Sequence, residues 1–276
     1  MRKFIKIILI LLGSAAISVI SASACDEGIP VLMYHHILPK DDNINFQDNA
    51  IVLDLEDFEW QMRYLHDNGF HTLTAAEVTE ILYDDNNDNN GDNNNSDNKY
   101  IWLTFDDGYY SNLIYAYPIL KKYNFTATIF AVTSYITDDV IPMDADKLVY
   151  LNWREMQDYY DVFEFASHSD NMHDVINVVN GTTNVTNVTK LENATKDEIA
   201  DDIIKSISYN KINVKYAFSY PYGRYNDKVI DVLKNFVKIA VTVRKGYLKE
   251  YTNPYEIPRF NIYRGISMER FKLIVK

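Results

Sequence analysis

A chain of 276 residues that is 47% hydrophobic and 14% aromatic can bury one sizeable core, and fits one domain better than two. Its formal charge of −12 argues against nucleic acid or anionic lipid as partners and suits a neutral or cationic one, such as an amino-sugar polymer. The single cysteine, Cys25, excludes an intrachain disulfide.

The first 24 residues stand apart. Arg2, Lys3 and Lys6 precede the apolar stretch from Ile7 to Ile20, and Ala22-Ser23-Ala24 follows. That order describes a secretory signal. Cleavage after Ala24 makes Cys25 the first residue, as in a lipoprotein, although the box before it lacks the usual Leu. An uncleaved anchor is the alternative, since Phe4 to Ala24 is nearly long enough to span a bilayer. Cleavage removes three positive charges and takes the net charge to −15. The expectation is an exported protein, extracellular or membrane-anchored at the cell surface. After a short spacer, 25–29, residues 30–276 form the expected domain.

Val31–Tyr34 reads as the first strand. Asp57–Asp67 has helical apolar spacing and stops at Asn68-Gly69. Phe70–Leu73 is a short strand, and Thr74-Ala-Ala-Glu77 is a capping box opening a helix to about Tyr83. Residues 84–98 are almost all Asp and Asn, a surface loop. Their fit to the spacing of a calcium loop is nearly free in such a composition. The apolar run Tyr100–Phe105 ends in Asp106-Asp107-Gly108. A helix near 112–123, a strand at Thr126–Val132, a helix capped by Asn152-Trp-Arg-Glu155 and a strand at Val162–Ala166 follow. Val175–Asn193 is Val/Asn/Thr-rich and reads as a variable loop, with four of the six N-x-S/T sequons at Asn180, Asn184, Asn187 and Asn193. Thr195-Lys-Asp-Glu198 caps a helix to about Tyr209. Val214–Tyr220, a helix at Asp227–Phe236 and a strand at Ile239–Val243 complete the order.

About seven strands alternating with helices imply an α/β fold with a parallel sheet. No Gly-rich phosphate loop follows any strand, so an irregular or incomplete (β/α) barrel suits the pattern better than an open nucleotide-binding sheet. In such barrels chemistry sits at the C-terminal strand ends.

Four strand ends carry reactive side chains. Asp106 and Asp107 form a carboxylate pair that is costly to bury unless a cation takes one of them. His168 and His173 are five apart, which no helix face unites, but they converge if His168 ends a strand and His173 opens the next element. One carboxylate with two imidazoles makes a set with open positions, as in catalytic zinc sites. Phe218-Ser-Tyr-Pro-Tyr-Gly223 runs from strand to turn and leaves the Tyr222 N–H free to meet a ligand. His35 and His36 end the first strand, and alternation sends only one of them to the site.

Thr104-Phe-Asp-Asp-Gly-Tyr109, His168-Ser-x-x-Met-His173 and Tyr220-Pro-Tyr-Gly223 resemble the first three motifs of the polysaccharide deacetylases, carbohydrate esterase family 4. Pro30–Ile37, PVLMYHHI, resembles the N-terminal strand of the poly-β-1,6-N-acetylglucosamine deacetylase branch. The resemblance covers residues 30–276. It implies that Asp107, His168 and His173 bind a divalent metal, zinc first, with Co2+, Ni2+ or Fe2+ as alternatives. It implies Asp106 as general base, the Tyr222 N–H as an oxyanion donor and His35 as the acid that protonates the departing amine. The implied substrate is an N-acetylglucosamine polysaccharide, and a monomer is expected. Three positions depart from the pattern. Met172 stands where Ser or Thr is usual, Ser219 stands where many relatives carry an arginine, and no late Asp-x-x-Asp-Trp is present. Arg259, in Ile257-Pro-Arg-Phe260, is the candidate to replace that arginine beside the base. Alternative functions are a glycan O-acetyl esterase and a non-catalytic glycan-binding relative.

Overall fold

A computed structural model describes residues 28–43, 45–46, 48–83, 99–180 and 184–276. The N-terminal signal or anchor and the Asp/Asn-rich segment 84–98 lie outside the described residues. In chain order the elements are β1 (Ile29–Tyr34), β2 (His36–Leu38), β3 (Val52–Asp54), α1 (Leu55–Asp67), β4 (Phe70–Thr72), α2 (Ala75–Tyr83), β5 (Lys99–Phe105), α3 (Tyr117–Lys122) and β6 (Ala127–Ala131). Then come β7 (Phe163–Ser167), β8 (Val175–Asn180), β9 (Asn184–Thr189), α4 (Lys190–Asn193), α5 (Lys196–Ser208), β10 (Ala217–Ser219), α6 (Asp227–Leu233), β11 (Ile239–Val241), β12 (Tyr247–Leu248), β13 (Phe260–Asn261) and α7 (Met268–Ile274).

The main sheet runs β11-β10-β7-β6-β5-β1-β12, with β4 on β5 and β13 on β1. Its pairings are parallel except that of β12 with β1. It curls into an incomplete (β/α) barrel, as the alternation of strands and helices implied. The segment around Ile257–Phe260 links the two edges: Ile257 bonds Ala240 and Thr242 on the β11 side, and Phe260 pairs with Leu32 of β1.

Strand alternation divides the core. Val31, Trp102, Phe130, Ala166, Ala217 and Val241 share one apolar cluster, the barrel interior. Leu32, Leu103, Phe105, Ile129, Phe163 and Phe165 point outward against Phe58, Met62 and Leu65 of α1, Leu120 of α3 and Phe271 of α7. On the β10–β11 side, Phe218 and Ala240 pack with Ile199 and Ile203 of α5 and Val229 and Leu233 of α6. Burying α1 residues at positions 58, 62 and 65 is what the helical spacing required.

Both capping boxes form as expected. Glu77 accepts from Thr74 N at 2.8 Å, and Glu198 from Thr195 N at 2.8 Å. Two segments differ from expectation. Asn152 accepts from Glu155 N at 3.0 Å, yet only the 3-10 turn Met156–Tyr159 follows. So few residues separate that cap from β7 that a longer helix has no room. Residues 175–193 are not an irregular loop: β8 and β9 pair antiparallel and α4 follows. Val, Ile and Thr occupy most of both segments, and this density of β-branched residues favours strands over a loop.

Candidate metal centre and active site

β5 presents Trp102, Thr104 and Asp106 to the interior in a two-residue period. Asp106 N donates to Tyr34 O at 2.9 Å, extending the ladder between β1 and β5 by one bond. The chain then turns sharply, with Asp107 at φ +72° and Gly108 at φ +78°. Aspartate tolerates this left-handed region better than most residues. Gly108 is needed for space as well as φ, because a Cβ there would lie 2.9 Å from Ala131 Cβ and 3.2 Å from Ala131 Cα. A strap, Val149–Leu151, clamps the turn: Tyr110 N donates to Val149 O at 2.8 Å and Leu151 N to Gly108 O at 2.9 Å.

His168 follows directly on β7. Its Nδ1 donates to Ser219 O at 2.7 Å, which leaves Nε2 as the free acceptor. That Nε2 lies 3.5 Å from Asp107 Oδ1, and His173 Nε2 lies 3.2 Å from the same oxygen. Ser169, at φ +74°, reverses the chain and brings the two histidines together. The loop between them is held from outside: Asp202 accepts from Asp170 N and Asn171 N, each at 2.8 Å, and Thr133 Oγ1 donates to Asp170 at 2.7 Å. Asp107, His168 and His173 thus offer one ligand atom each, all within 4.8 Å of one another. A buried carboxylate oxygen and two imidazole Nε2 atoms, one tautomer set by a carbonyl, fit a divalent cation. Burial pushes the Asp107 carboxyl up, but its contacts with the His168 and His173 rings outweigh this and hold the group well below the usual carboxylate range.

Asp106 is buried beside this group and paired with Arg259. Arg259 Nη1 donates to Asp106 Oδ1 at 2.8 Å and Nη2 to Oδ2 at 2.6 Å. The guanidinium is fully buried, and its remaining bonds go to Thr242 O, Thr104 Oγ1 and Ser219 Oγ. Ser219 Oγ also donates to Asp106 Oδ2 at 3.2 Å. Arg259 therefore reaches, from the closing segment of the barrel, the carboxylate that the sequence assigned to it. Serine at position 219 leaves room for that guanidinium. Burial pushes the Asp106 carboxyl up, and the Arg259 and His168 charges more than reverse this, so its pKa is lowered. Oδ2 accepts two hydrogen bonds here and Oδ1 only one, so Oδ1 keeps a lone pair for another donor.

The adjacent histidines separate as alternation requires. His35 is in phase with Val31 and belongs to the interior. Burial lowers its pKa, while Asp107 and Asp106 pull the other way. Its Nδ1 is buried with no partner among the described residues, which agrees with the missing late Asp-x-x-Asp-Trp. His36 faces the opposite side, bonds Ser111 Oγ and stacks on Tyr109 at 5.0 Å. Tyr222 sits at φ +57° in the turn after β10, and its ring stacks on His173 at 4.5 Å. Gly223 N and Arg224 N donate to Tyr220 O and Pro221 O, while no carbonyl among the described residues engages the Tyr222 N–H. Met172 turns away from the site, into an apolar cluster with Leu191, Ala194 and Ile199. Its N–H is taken by Ser169 Oγ at 3.2 Å.

A cluster of three tyrosines borders the site. Tyr109 and Tyr150 stack at 5.2 Å, and Tyr135 packs on Tyr150 at 4.9 Å. Tyr135 and Tyr150 lie in no motif, and only the folded strap sets them beside the turn.

The chain matches the family described as "Polysaccharide deacetylase" over residues 93–237, just over half its length. His35 and Arg259 lie outside that match. It is 29% identical over 229 residues to a poly-beta-1,6-N-acetyl-D-glucosamine N-deacetylase of Staphylococcus aureus, covering 79% of this chain and 69% of the relative. Among solved structures it resembles the Streptococcus pyogenes deacetylase PplD in complex with acetate, with a TM-score of 0.69 at 26% identity over 90% of this chain and 98% of that one. IcaB from Ammonifex degensii shares the fold, with a TM-score of 0.68 at 18% identity over 90% and 96% of the two chains.

Proposed function

The chain belongs to the polysaccharide deacetylase family, and on that premise we propose that it is a divalent-metal hydrolase removing N-acetyl groups from an N-acetylglucosamine polysaccharide outside the cell or at its surface. The observation that carries this reading is the pairing of two buried units at one barrel end. One is the ligand group of Asp107, His168 and His173; the other is Asp106 clamped by Arg259. The named relatives support the substrate class: one is called a poly-beta-1,6-N-acetyl-D-glucosamine N-deacetylase, and the structure of another holds acetate. The export signal read in residues 1–24 supports the location.

A zinc ion on the ligand group would polarise the amide carbonyl and acidify the attacking water. The chain's own residues divide the remaining work. Asp106 takes the water proton at Oδ1, the oxygen with an open lone pair. Arg259 holds that carboxylate ionised and, unlike a lysine, fixes its plane. The Tyr222 N–H meets the developing oxyanion, where a pre-oriented donor is worth roughly 3 kcal/mol. His35, when protonated, gives a proton to the leaving amine, and burial, which favours its neutral form, makes the imidazolium a stronger acid than a free one.

An O-acetyl ester would meet the same groups, so substrate panels must decide. The test is acetate release from β-1,4 and β-1,6 N-acetylglucosamine oligomers and from acetylated xylan, with and without chelator. Chelator-sensitive release from the oligomers alone is expected. Full activity in Asp106→Asn would overturn the mechanism, and release from xylan alone would overturn the substrate class.

A further inference from the structure

The candidate ligand His173 belongs to a run of aromatic rings. Tyr222 stacks on one side of it at 4.5 Å. On the other, Tyr135 meets it edge-on at 6.3 Å, and Tyr150 continues the run at 4.9 Å. Tyr109, almost fully buried, stacks on Tyr150 and carries the run inward to His36. Tyr135 and Tyr150 are neither core nor surface: both are partly exposed, at the barrel end that carries the ligand group.

Both rings are held in place by the backbone. Tyr150 forms an isolated antiparallel bridge with Tyr109, flanked by the two strap hydrogen bonds at Val149 and Leu151. Tyr135 ends the turn Thr133–Tyr135, and its hydroxyl donates to His173 O at 3.3 Å. An aromatic face that is already ordered loses little entropy on binding. Neither residue offers a ligand atom to the metal group, and neither lies in the sequence patterns that mark it.

We propose that Tyr135 and Tyr150 form the platform on which the sugar unit next to the reacting one stacks. This rests on the deacetylase reading given above. A β-linked hexosamine carries its substituents around the ring edge and presents C–H groups on its faces, so it stacks on a flat apolar partner. The partly exposed ring faces of the two tyrosines supply that partner, and the Tyr135 hydroxyl, already bonded to His173 O, is not needed for it. A single sugar seated over the ligand group would leave this platform uncovered. The platform therefore acts on polymers and is silent for monosaccharides.

Tyr135→Ala and Tyr150→Ala would each be compared with the Phe variant at the same position. The substrates are an N-acetylglucosamine tetrasaccharide and the free monosaccharide. The expected result is about a tenfold rise in KM for the tetrasaccharide and recovery in the Phe variants, with kcat kept and the monosaccharide rate unchanged in Tyr150→Ala, which leaves the Tyr135 bond to His173 O in place. In Tyr150→Ala, an equal loss on both substrates, or no loss on the tetrasaccharide, would overturn the platform. Saturation-transfer NMR reads tetrasaccharide contact without turnover and separates the two claims. If wild-type protein releases no acetate from either substrate, the deacetylase reading fails. Transfer that weakens in Tyr150→Ala would still support the platform, and unaltered transfer would sink it.

Discussion

Arg259 and Asp106 are 153 residues apart in sequence and joined by two hydrogen bonds in space, Nη1 to Oδ1 and Nη2 to Oδ2. The pair is fully enclosed, so each charge depends on the other. Removing the arginine leaves an uncompensated buried carboxylate, which costs about 3–5 kcal/mol. Arg259→Ala is expected to lose that much stability by denaturant unfolding. Arg259→Lys keeps a charge but not the fork. It is expected to fold and to lose on the order of a hundredfold in acetate release, because the base is no longer held in plane.

The ligand group predicts a metal-dependent stability as well as a metal-dependent rate. Zinc that binds only the native fold raises the melting temperature with concentration. Wild-type protein is expected to show this rise, and His173→Ala to lose most of it. Chelator should abolish acetate release and added zinc restore it. Melting curves that ignore zinc would count against the group.

The turn after β5 is sensitive to a single methyl. Gly108→Ala forces a Cβ against Ala131 and places alanine at φ +78°, so about 1–3 kcal/mol of strain is expected. Relief of that strain moves Asp107. Zinc affinity is therefore expected to fall in this variant even where it remains folded, as isothermal titration would show.

His36 predicts an acid-side loss of stability. Burial lowers its pKa from 6.5 to about 4. The unfolded chain therefore binds a proton that the folded chain refuses between those two values. Stability contributed by neutral His36 is complete above about pH 6.5 and is lost as the pH falls toward 4, by about 3 kcal/mol at most. His36→Asn keeps a donor near Ser111 and cannot titrate. Its unfolding free energy is expected to vary less across this window, and an unchanged slope would refute the assignment.

Much of this site could be read from strand ends alone. An apolar run that stops in Asp106-Asp107-Gly108, and another that stops in His168, place their side chains at one barrel end whatever the loops do. Alternation also decides which of His35 and His36 turns inward, once Val31 is known to be interior. Other parts depend on closure of the fold. Nothing local to Ile257–Phe260 says that Arg259 meets Asp106, because the contact exists only when the sheet curls. The left-handed backbone at Asp107, Ser169 and Tyr222 is likewise invisible in sequence, since none of them is glycine. Tyr150 is placed by a bridge to Tyr109 that no periodicity announces. The hairpin of β8 and β9 is hard to read locally because its repeated Asn residues suggest turns, while the dense Val, Ile and Thr around them favour strands.

The closing segment has a bearing on synthesis. A nascent chain that has left the ribosome only as far as residue 256 contains Asp107, His168 and His173, and also Asp106, but not the cation that keeps Asp106 in place. The three candidate metal ligands and Asp106 precede in the chain the arginine that holds Asp106. The enclosure of Asp106 is thus complete only once the segment carrying Arg259 docks, and a chain ending before it would carry the candidate metal ligands without the cation that holds Asp106.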